Sequence, residues 1–269
     1  MKLNIITASA NSVGKSILQR VVNPKDVTIA FSRSWTNVEG AFNIKVSDLT
    51  NTEEVKKSLL EVFNTLPSNE ISEVNLFHNC CYAVCEIPNL QKDFPDHIDN
   101  PKLVIQDNDG DGIDDRSYHS LLTTFRNVLE GILSHYPEKN LSIWTICSLT
   151  DKKSYIPTIF QSLVKTNLML RNDLEKLVID NNNIQGVCIS AATVRTETED
   201  NFRKYCNEKD YRVSPESVAQ ALVNAMQTHK NEYEDIPLYM YNPRYHSYYK
   251  NETDEQMTER FKREIGLIE

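Results

Sequence analysis

Three polar residues near the middle of the chain have types and spacing that suit chemistry on a polarised oxygen. Ser148 is followed thirteen residues later by Gln161, and Lys165 lies four residues beyond Gln161. The amide of Gln161 can hydrogen-bond an oxygen atom, but it has no proton to give near neutral pH. Tyr155 is an alternative proton donor, although a tyrosine in the loop before a helix is not rigidly placed. If these residues form a catalytic site, the site lacks a positioned general acid.

An acidic loop is a second candidate site. Carboxylates stand at alternate positions, Asp107, Asp109 and Asp111, and Asp115 follows. Hard oxygen ligands at this spacing resemble a calcium loop, but the twelfth position, which should supply a bidentate acid, is Tyr118. The alternative is a solvated acidic turn that favours the start of the helix beginning near Tyr118. We favour the turn, and calcium binding stays the second interpretation.

The turn after the first predicted strand is a candidate phosphate site. It reads Thr7-Ala8-Ser9-Ala10-Asn11-Ser12-Val13-Gly14. In an open α/β sheet this turn normally approaches a phosphate, and glycines let the backbone come close. Ala8 adds a methyl group where the backbone needs a close approach or a positive φ, whereas the Ser9 and Ser12 hydroxyls can donate to phosphate. We therefore expect phosphate binding to be weakened and not abolished.

The elements that position these residues alternate between strand and helix along the whole chain. This order predicts a Rossmann-like, doubly wound parallel sheet of about seven strands with helices on both faces. The predicted strands are Leu3–Thr7, Val27–Phe31, Phe42–Val46, Val74–Phe77, Leu141–Cys147, Ile184–Ser190 and Leu238–Tyr241. The predicted helices are one ending near Pro24, Asn51–Thr65, Tyr118–His135, Thr158–Leu177 and Pro215–His229. Since there is no repeat and no Gly/Ser-rich linker, we predict one domain over residues 1–249, with 250–269 as a helical extension of it.

The chain resembles the short-chain dehydrogenase/reductase family over roughly residues 2–241. The family turn, Thr-Gly-x-x-x-Gly-x-Gly, is matched at Thr7 and Gly14. Asn79 opens Asn-Cys-Cys where the family has Asn-Ala-Gly, and Ala191-Ala192 replaces its Pro-Gly. Ser148 and Lys165 match the family's Ser and Tyr-x-x-x-Lys pattern, with Gln161 at the tyrosine position.

The resemblance implies a cofactor, NADP(H), and a set of residues that hold it. Arg33 stands where family members often place a cation for the 2′-phosphate, and the pair Asp48-Leu49 stands where they contact adenine. The implied cofactor-binding residues are Thr7, Ser9, Ser12, Val13, Gly14, Arg33, Asp48, Leu49, Asn79, Lys165 and Thr196.

The resemblance also implies a catalytic set for hydride transfer to a carbonyl group. In the family a tyrosine donates the proton, the lysine lowers its pKa and holds the nicotinamide ribose, and the serine polarises the substrate oxygen. The implied catalytic residues are Asn127, Ser148, Gln161 and Lys165, where Asn127 matches a helix-kinking asparagine. Loss of one general acid costs on the order of 10²–10⁴ in rate.

Each of these residues also has a structural interpretation without function. Thr7 and Asn79 satisfy backbone groups at strand ends, and Asp48 caps a turn. Lys165 is then a solvated helix lysine.

Composition excludes several classes of partner. A net charge of −9 and a pI near 5.3 argue against binding to nucleic acid or to an anionic membrane. No apolar run reaches the roughly 18–20 residues that span a bilayer, and the N-terminus reads as a strand and not as a signal peptide. Six cysteines without a secretory signal suggest reduced thiols in the cytosol, and the Cys80, Cys81 and Cys85 group has no second pair for zinc.

Three functions remain open from the sequence. The first is a catalytically impaired member of the family, a pseudoenzyme that binds a nucleotide or metabolite or acts in assembly. The second is an active NADP(H)-linked oxidoreductase with an unusual substrate or proton donor. The third alternative is a structural subunit. By resemblance alone we expect a homo-oligomer, a dimer or tetramer, formed through helices 118–135 and 158–177.

Overall fold

The structure is a computed structural model. It describes residues 1–79, 110, 115–148, 158–191, 194–195, 212–229 and 232–238, together with 253, 256, 259 and 263. The side chains of residues 116, 117, 119, 120 and 158–163 lie outside this description. The predicted C-terminal extension therefore falls almost entirely outside the described residues.

Seven parallel strands form one sheet in the order β3-β2-β1-β4-β5-β6-β7. The strands are β1 Lys2–Thr7, β2 Val27–Ser32, β3 Phe42–Lys45, β4 Glu73–His78, β5 Asn140–Ser148, β6 Ile184–Ala191 and β7 Tyr233–Leu238. The chain runs outward from β1 to β3, then returns to place β4 on the other side of β1. The crevice for ligands in such a sheet lies at this reversal, beyond the carboxyl ends of β1 and β4. The predicted fold class is confirmed.

The helices lie on both faces of the sheet. They are α1 Ser12–Val21, α2 Thr52–Phe63, α3 Asp115–Tyr118, α4 Thr124–His135, α5 Thr158–Asp180 and α6 Pro215–Thr228, and a π-helical turn, His119–Thr123, joins α3 to α4. Asn51 caps α2 by accepting from the Glu54 amide, and Ser214 caps α6 by accepting from the Ser217 amide. Side-chain oxygens at these positions satisfy amides that the first turn leaves unbonded, and both helices start where they were predicted to within one residue.

Two apolar layers form the core, one on each face of the sheet. The layer containing Phe31, Phe63 and Phe125 packs between the sheet and α2, α4 and α5. The other layer contains Ile17, Phe77 and residues of α6, and it packs between the sheet and the α1–α6 pair. The central strands are buried on both faces and supply most of this core, and two polar residues that they bury, Asn4 and Asn75, hydrogen-bond to each other.

The seventh strand differs from its prediction. It runs over Tyr233–Leu238, whereas Leu238–Tyr241 was predicted, and residues 239–241 are outside the described part of the chain. The strand contains Pro237 and two acidic residues, Glu234 and Asp235, which are uncommon in strands. A proline is tolerated on an edge strand, and β7 pairs with β6 only, at the edge of the sheet.

Among the described residues, no helix has the length and apolar character needed to cross a bilayer.

Candidate functional site

The β1–α1 turn keeps a left-handed backbone without its usual glycine. Ala8 has φ of 48°, and it is the one non-glycine residue with positive φ among those described. A side chain in this region crowds the following carbonyl, at a cost of about 1–2 kcal/mol for an L-residue. The turn therefore holds the backbone shape that a phosphate loop needs even though the first glycine is absent.

Gly14 is the only glycine in the β1–α1 turn, and its surroundings leave no room for a side chain. A Cβ atom at Gly14 would overlap with the carbonyl oxygen of Ala8, and it would lie 2.9 Å from both Nδ2 of Asn79 and Cα of Ser9. The turn folds back onto the first turn of α1 so closely that no side chain fits there. Gly14 is thus needed for the close packing of helix and turn, whatever the turn binds.

Asn11 and Asn79 tie the turn to the end of β4. Oδ1 of Asn11 accepts from the Gly14 amide at 2.7 Å and from Nδ2 of Asn79 at 2.8 Å. The Asn79 amide donates to Oγ1 of Thr7 at 3.0 Å. Both sides of the crevice at the sheet reversal are therefore joined by hydrogen bonds, which keeps the amide end of α1 facing the crevice.

His78 extends this network into the core. Nε2 of His78 lies 2.9 Å from the carbonyl oxygen of Leu121, so Nε2 carries the proton and donates it. Nδ1 is then unprotonated and accepts from the Thr7 hydroxyl at 3.2 Å. Complete burial lowers the pKa of His78 to about 4, although the bond to Leu121 opposes this shift. A neutral imidazole thus links the end of β1 to the π-helical turn.

The remaining cofactor candidates have different surroundings. Arg33 is exposed just past β2 and forms no hydrogen bond or ion pair with any residue that the structure describes. Asp48 accepts on Oδ1 from both the amide and the hydroxyl of Thr50, at 2.8 Å each, which is the turn-capping role weighed for it. Leu49 and Val13 are buried in the two core layers.

Two hydroxyls of the turn differ in exposure. Ser9 is fully buried, and its Oγ has no partner among the described residues, whereas Ser12 is exposed at the start of α1. A buried donor without a partner is uncommon and costs free energy, so the Ser9 hydroxyl is a group that a bound anion or water would satisfy.

Ser148 is held at the end of β5 by α5. The Ser148 amide donates to Oδ1 of Asn167 at 3.2 Å, and its carbonyl accepts from Nη2 of Arg171 at 2.7 Å. Arg171 also donates to Oγ of Ser190 at 2.7 Å and lies 3.5 Å from the Asp235 carboxylate. We name these five residues, Ser148, Asn167, Arg171, Ser190 and Asp235, the strand-end clamp, because they join β5, β6, β7 and α5 at one edge.

The catalytic candidates are only partly brought together. Gln161 lies on α5 one turn before the exposed Lys165, and its side chain is outside the described part. Asn127 uses its amide elsewhere: Nδ2 donates to the Thr50 carbonyl at 3.1 Å and Oδ1 accepts from Oγ1 of Thr52 at 2.9 Å. These bonds fix α4 against the start of α2. The helix irregularity that the resemblance attributes to Asn127 lies instead at His119–Thr123, before α4 begins.

Several sequence candidates fall outside the described residues. These are Asp107, Asp109, Asp111 and Thr196. Within the same loop, Gly110 has φ of 80°, and Asp115 begins α3. No group of three or more metal-binding side chains occurs among the residues that are described. Calcium binding at the acidic loop stays a prediction.

Sequence reasoning missed His78, Asn167 and Arg171. All three are buried and polar, and each acts by bonding a backbone or hydroxyl group distant in sequence. A buried arginine inside a helix has no local signal that separates it from a solvated one. His78 did have a signal, since it directly precedes Asn79 at the end of a buried strand.

Replacing Ala8 by glycine should strengthen the turn. Because Ala8 has positive φ, Ala8→Gly is expected to raise the free energy of unfolding by about 1 kcal/mol and to tighten NADPH binding several-fold. Chemical denaturation and calorimetric titration measure the two effects. Gly14→Ala is the matched variant with the opposite expected effect. Its Cβ would overlap with the Ala8 carbonyl oxygen, so the free energy of unfolding should fall by about 1–3 kcal/mol. An Ala8→Gly protein that is less stable than wild type would contradict the strained turn.

Comparison with solved structures identifies the same architecture. An aldohexose dehydrogenase from Thermoplasma acidophilum superposes with a TM-score of 0.62 at 16% identity, over 88% of this chain and 92% of that one. An alcohol dehydrogenase from Thermococcus sibiricus, solved with 5-hydroxy-NADP, gives 0.63 at 14% identity, over 90% and 97%. A 7α-hydroxysteroid dehydrogenase, solved with NADH and 7-oxo glycochenodeoxycholic acid, gives 0.64 at 14% identity, over 90% and 94%.

No family model and no curated protein sequence matches the chain. The structural likeness shows that the chain has the fold of these dehydrogenases, which is the fold that the resemblance to short-chain dehydrogenases/reductases implied.

Proposed function

We propose that this chain is a divergent protein of the short-chain dehydrogenase/reductase type that binds NADP(H) and is impaired in conventional carbonyl reduction. The observation that carries the proposal is the positive φ of Ala8, because the phosphate-loop backbone persists where its glycine is lost. Gln161, which stands at the position of the family's proton donor, supports the second part of the proposal, the impaired carbonyl reduction. The role left to such a protein is that of a pseudoenzyme, in ligand binding or assembly.

The residues of the turn fit a dinucleotide. The amide end of α1 faces the crevice, and anions are favoured at a helix N-terminus by its dipole and its unbonded amides. The buried Ser9 hydroxyl lacks a partner among the described residues, and Arg33 supplies an exposed cation past β2. Two of the similar structures were solved with an NADP derivative or NADH, which supports the same ligand class here. When bound, such a cofactor supplies a hydride.

The impairment follows from the chemistry of position 161. A developing alkoxide needs a proton from a group whose pKa lets it give one, and an amide has none to give near neutral pH. Ser148 lies at the end of β5 and Lys165 lies on α5, which supports polarisation and binding of an oxygen without its protonation. We therefore expect ligand binding to survive the loss of turnover.

Titration with NADPH and with NADH tests the proposal. We expect NADPH affinity on the order of micromolar. A ligand at a hundred times Kd adds about 2.7 kcal/mol of stability, which raises the thermal midpoint of a chain of this size by roughly 5–10 °C. Turnover with a panel of aldehydes and ketones should be absent or slow. No shift at millimolar cofactor would overturn the nucleotide part, and rapid carbonyl reduction would overturn the impairment.

An active oxidoreductase with different chemistry is the second candidate. The strand-end clamp favours this candidate. It holds Ser148 against α5 by two hydrogen bonds to the Ser148 backbone, so the end of β5 that carries this candidate catalytic residue is fixed in position. A reaction that needs no acid from the protein, such as hydride transfer to an iminium or an activated alkene, suits this arrangement. Oxidation of NADPH by such compounds, lost in Lys165→Ala, would favour this candidate over the first.

We also propose that two or more copies assemble through α4 and α5 in a reducing, cytosolic setting. Leu168 on α5 is 43% exposed, and a surface depression of about 450 Å³ on α4 is lined partly by Leu129 and Leu133. Apolar side chains at an open helix surface favour association. Sedimentation of the purified chain measures the mass directly, and a monomer at micromolar concentration would refute the assembly.

A further inference from the structure

A row of polar side chains crosses the buried middle of the sheet. Four residues pair in register at one level, one each on β1, β4, β5 and β6: Asn4, Asn75, Ser142 and Gln185. Each of them precedes by two positions a residue of the apolar layer under α1 and α6, so all four side chains lie on that face of the sheet. Asn4, Asn75 and Ser142 are at most 3% exposed. Polar groups buried in this way need hydrogen-bond partners.

One side-chain hydrogen bond joins each neighbouring pair of these four strands. Nδ2 of Asn75 donates to Oδ1 of Asn4 at 3.0 Å, which links β4 to β1. Nε1 of Trp144 donates to Oδ1 of Asn75 at 3.4 Å, which links β5 to β4. Nε2 of Gln185 donates to Oγ of Ser142, which links β6 to β5. We name these residues the polar seam: Asn4, Asn75, Ser142, Trp144 and Gln185.

The polar seam is a weak source of net stability. A hydrogen bond inside a protein replaces hydrogen bonds to water, whereas apolar side chains at the same level would gain from burial. The seam has a large effect only when a partner is missing, because a buried polar group without a partner loses its bonds to water and gains none. Such an arrangement discriminates between one pairing of the strands and another.

A slip of two residues is the pairing error that the apolar side chains of these strands do not prevent. Side chains alternate between the two faces with a period of two, so this slip keeps each side chain on its own face. Both faces carry an apolar layer, so apolar residues would again meet apolar residues. The seam does not tolerate the slip, because Asn4 would lie opposite Glu73 or Phe77 and would lose its bond to the Asn75 side chain.

The register at the seam also decides how the strand ends meet at the crevice. The Asn79 amide donates to Oγ1 of Thr7 at 3.0 Å when β1 and β4 are paired as they are here. A slip of two residues would move one strand end by about 6–7 Å relative to the other and would break this bond. The crevice therefore keeps its shape only in one register.

We propose that the polar seam is a register lock. It makes two-residue slips among β1, β4, β5 and β6 unfavourable, and it thereby holds the strand ends around the crevice at one level. Each boundary between these strands has its own bond, so each boundary is locked separately. The inference is independent of the proposed function, because it concerns the pairing of the strands and not what the crevice binds.

The first test removes the polar side-chain atoms of three seam residues together, in the combined variant Asn4→Leu, Asn75→Leu and Trp144→Phe. No partner is then left unpaired, and two buried leucines offset the smaller ring, so the thermal midpoint should stay within about 5 °C of wild type. Asn75→Leu alone leaves the Asn4 oxygen and the Trp144 indole N–H without this partner, and it should lower the midpoint by roughly 5–10 °C. Scanning calorimetry measures both midpoints.

Nuclear magnetic resonance of the same proteins reports the register. The wild-type chain should show one amide cross-peak per residue and a nuclear Overhauser contact between Ile5 and Leu76, which pair in the sheet. The combined variant should show extra cross-peaks for residues of β1, β4 and β5. In the slipped form the contact of Ile5 should be displaced by two residues, to Val74 or His78.

Thr28→Val is the matched control. Thr28 pairs with Asn4 at the level of the seam and is buried, but its hydroxyl bonds to no residue that the structure describes. This variant should keep one set of cross-peaks. A second seam variant, Ser142→Ala with Gln185→Leu, removes both partners of the β5–β6 bond and leaves the other two bonds in place. It should show extra cross-peaks for β6, and it decides the question if the combined variant does not fold.

Three results would overturn the register lock. A folded combined variant with one set of cross-peaks, and with Ile5 still beside Leu76, would exclude the lock between β1 and β4. One set of cross-peaks in the second seam variant would exclude it between β5 and β6. Extra cross-peaks in Thr28→Val would show that any buried substitution at this level disturbs the pairing, so the seam would have no specific role.

Discussion

Gln161→Tyr is expected to convert this chain into a working carbonyl reductase. The change restores a phenol one helical turn before Lys165, on a helix that the strand-end clamp already holds against Ser148. A positioned general acid contributes about 10²–10⁴ in rate, so NADPH oxidation with a reactive aldehyde should rise by that factor over wild type. Loss of NADPH absorbance in steady-state assays measures the rate.

Gln161→Phe is the control for this gain, because it supplies the ring without the hydroxyl. Its rate should stay at the wild-type level, and adding Lys165→Ala to Gln161→Tyr should remove the gain. Gln161→Tyr could bind NADPH and still reduce carbonyl compounds no faster than Gln161→Phe. In that case the missing general acid at position 161 is not what limits the rate of carbonyl reduction. The impairment would then lie in the geometry of Ser148 and Lys165.

Stability should fall by about 3 kcal/mol on acidification because of one buried imidazole. The pKa of His78 drops from 6.5 to about 4 on folding, since burial disfavours the charged ring. Above pH 6.5 the ring is neutral in both states. Between pH 6.5 and about 4 the unfolded chain takes up a proton that the folded chain does not, so stability decreases as pH falls through this window. Denaturant unfolding at a series of pH values measures the slope.

Carboxylates titrate in the same range, so the test is a difference between variants. His78→Gln keeps a polar side chain without an ionisable ring, and its unfolding free energy should depend less steeply on pH than that of wild type. His135→Gln is the control, at a half-buried histidine near Phe63 and Tyr136, and it should keep the steep dependence. Equal slopes in wild type and His78→Gln would show that folding does not change the pKa of His78, which would contradict the lowered pKa.

The parts of the fold that were predictable are those with local signals. Short segments rich in apolar residues predicted β1, β2, β4, β5 and β6, and the capping side chains of Asn51 and Ser214 agree with the predicted starts of two helices. β7 was misplaced because its residues carry acids and a proline, and only its position at the sheet edge makes this sequence acceptable as a strand. Position in a sheet is a property of the whole fold and not of the segment.

The candidate site was predictable as a set of positions but not as a set of contacts. The order of motifs placed Thr7, Asn79 and Ser148 at strand ends, as the structure has them. The π-helical turn and the bonds of Asn127 to the residues before α2 arise from packing between distant segments, so no local pattern announces them. The sequence indicated only that a phosphate loop needs a positive φ at position 8. An alanine rarely adopts a positive φ, so the residue type gave no sign that Ala8 has one.

The strand-end clamp has an evolutionary consequence. It holds β5, β6, β7 and α5 together through residues other than 161, so folding does not depend on what chemistry that position offers. Selection for a folded protein acts on the clamp, whereas, on the proposed function, selection for turnover acts on position 161. A lineage can therefore lose a reaction in one substitution without losing the protein, and a single reversal remains accessible. On the proposed function, this chain would be a scaffold from which new activities can be recruited.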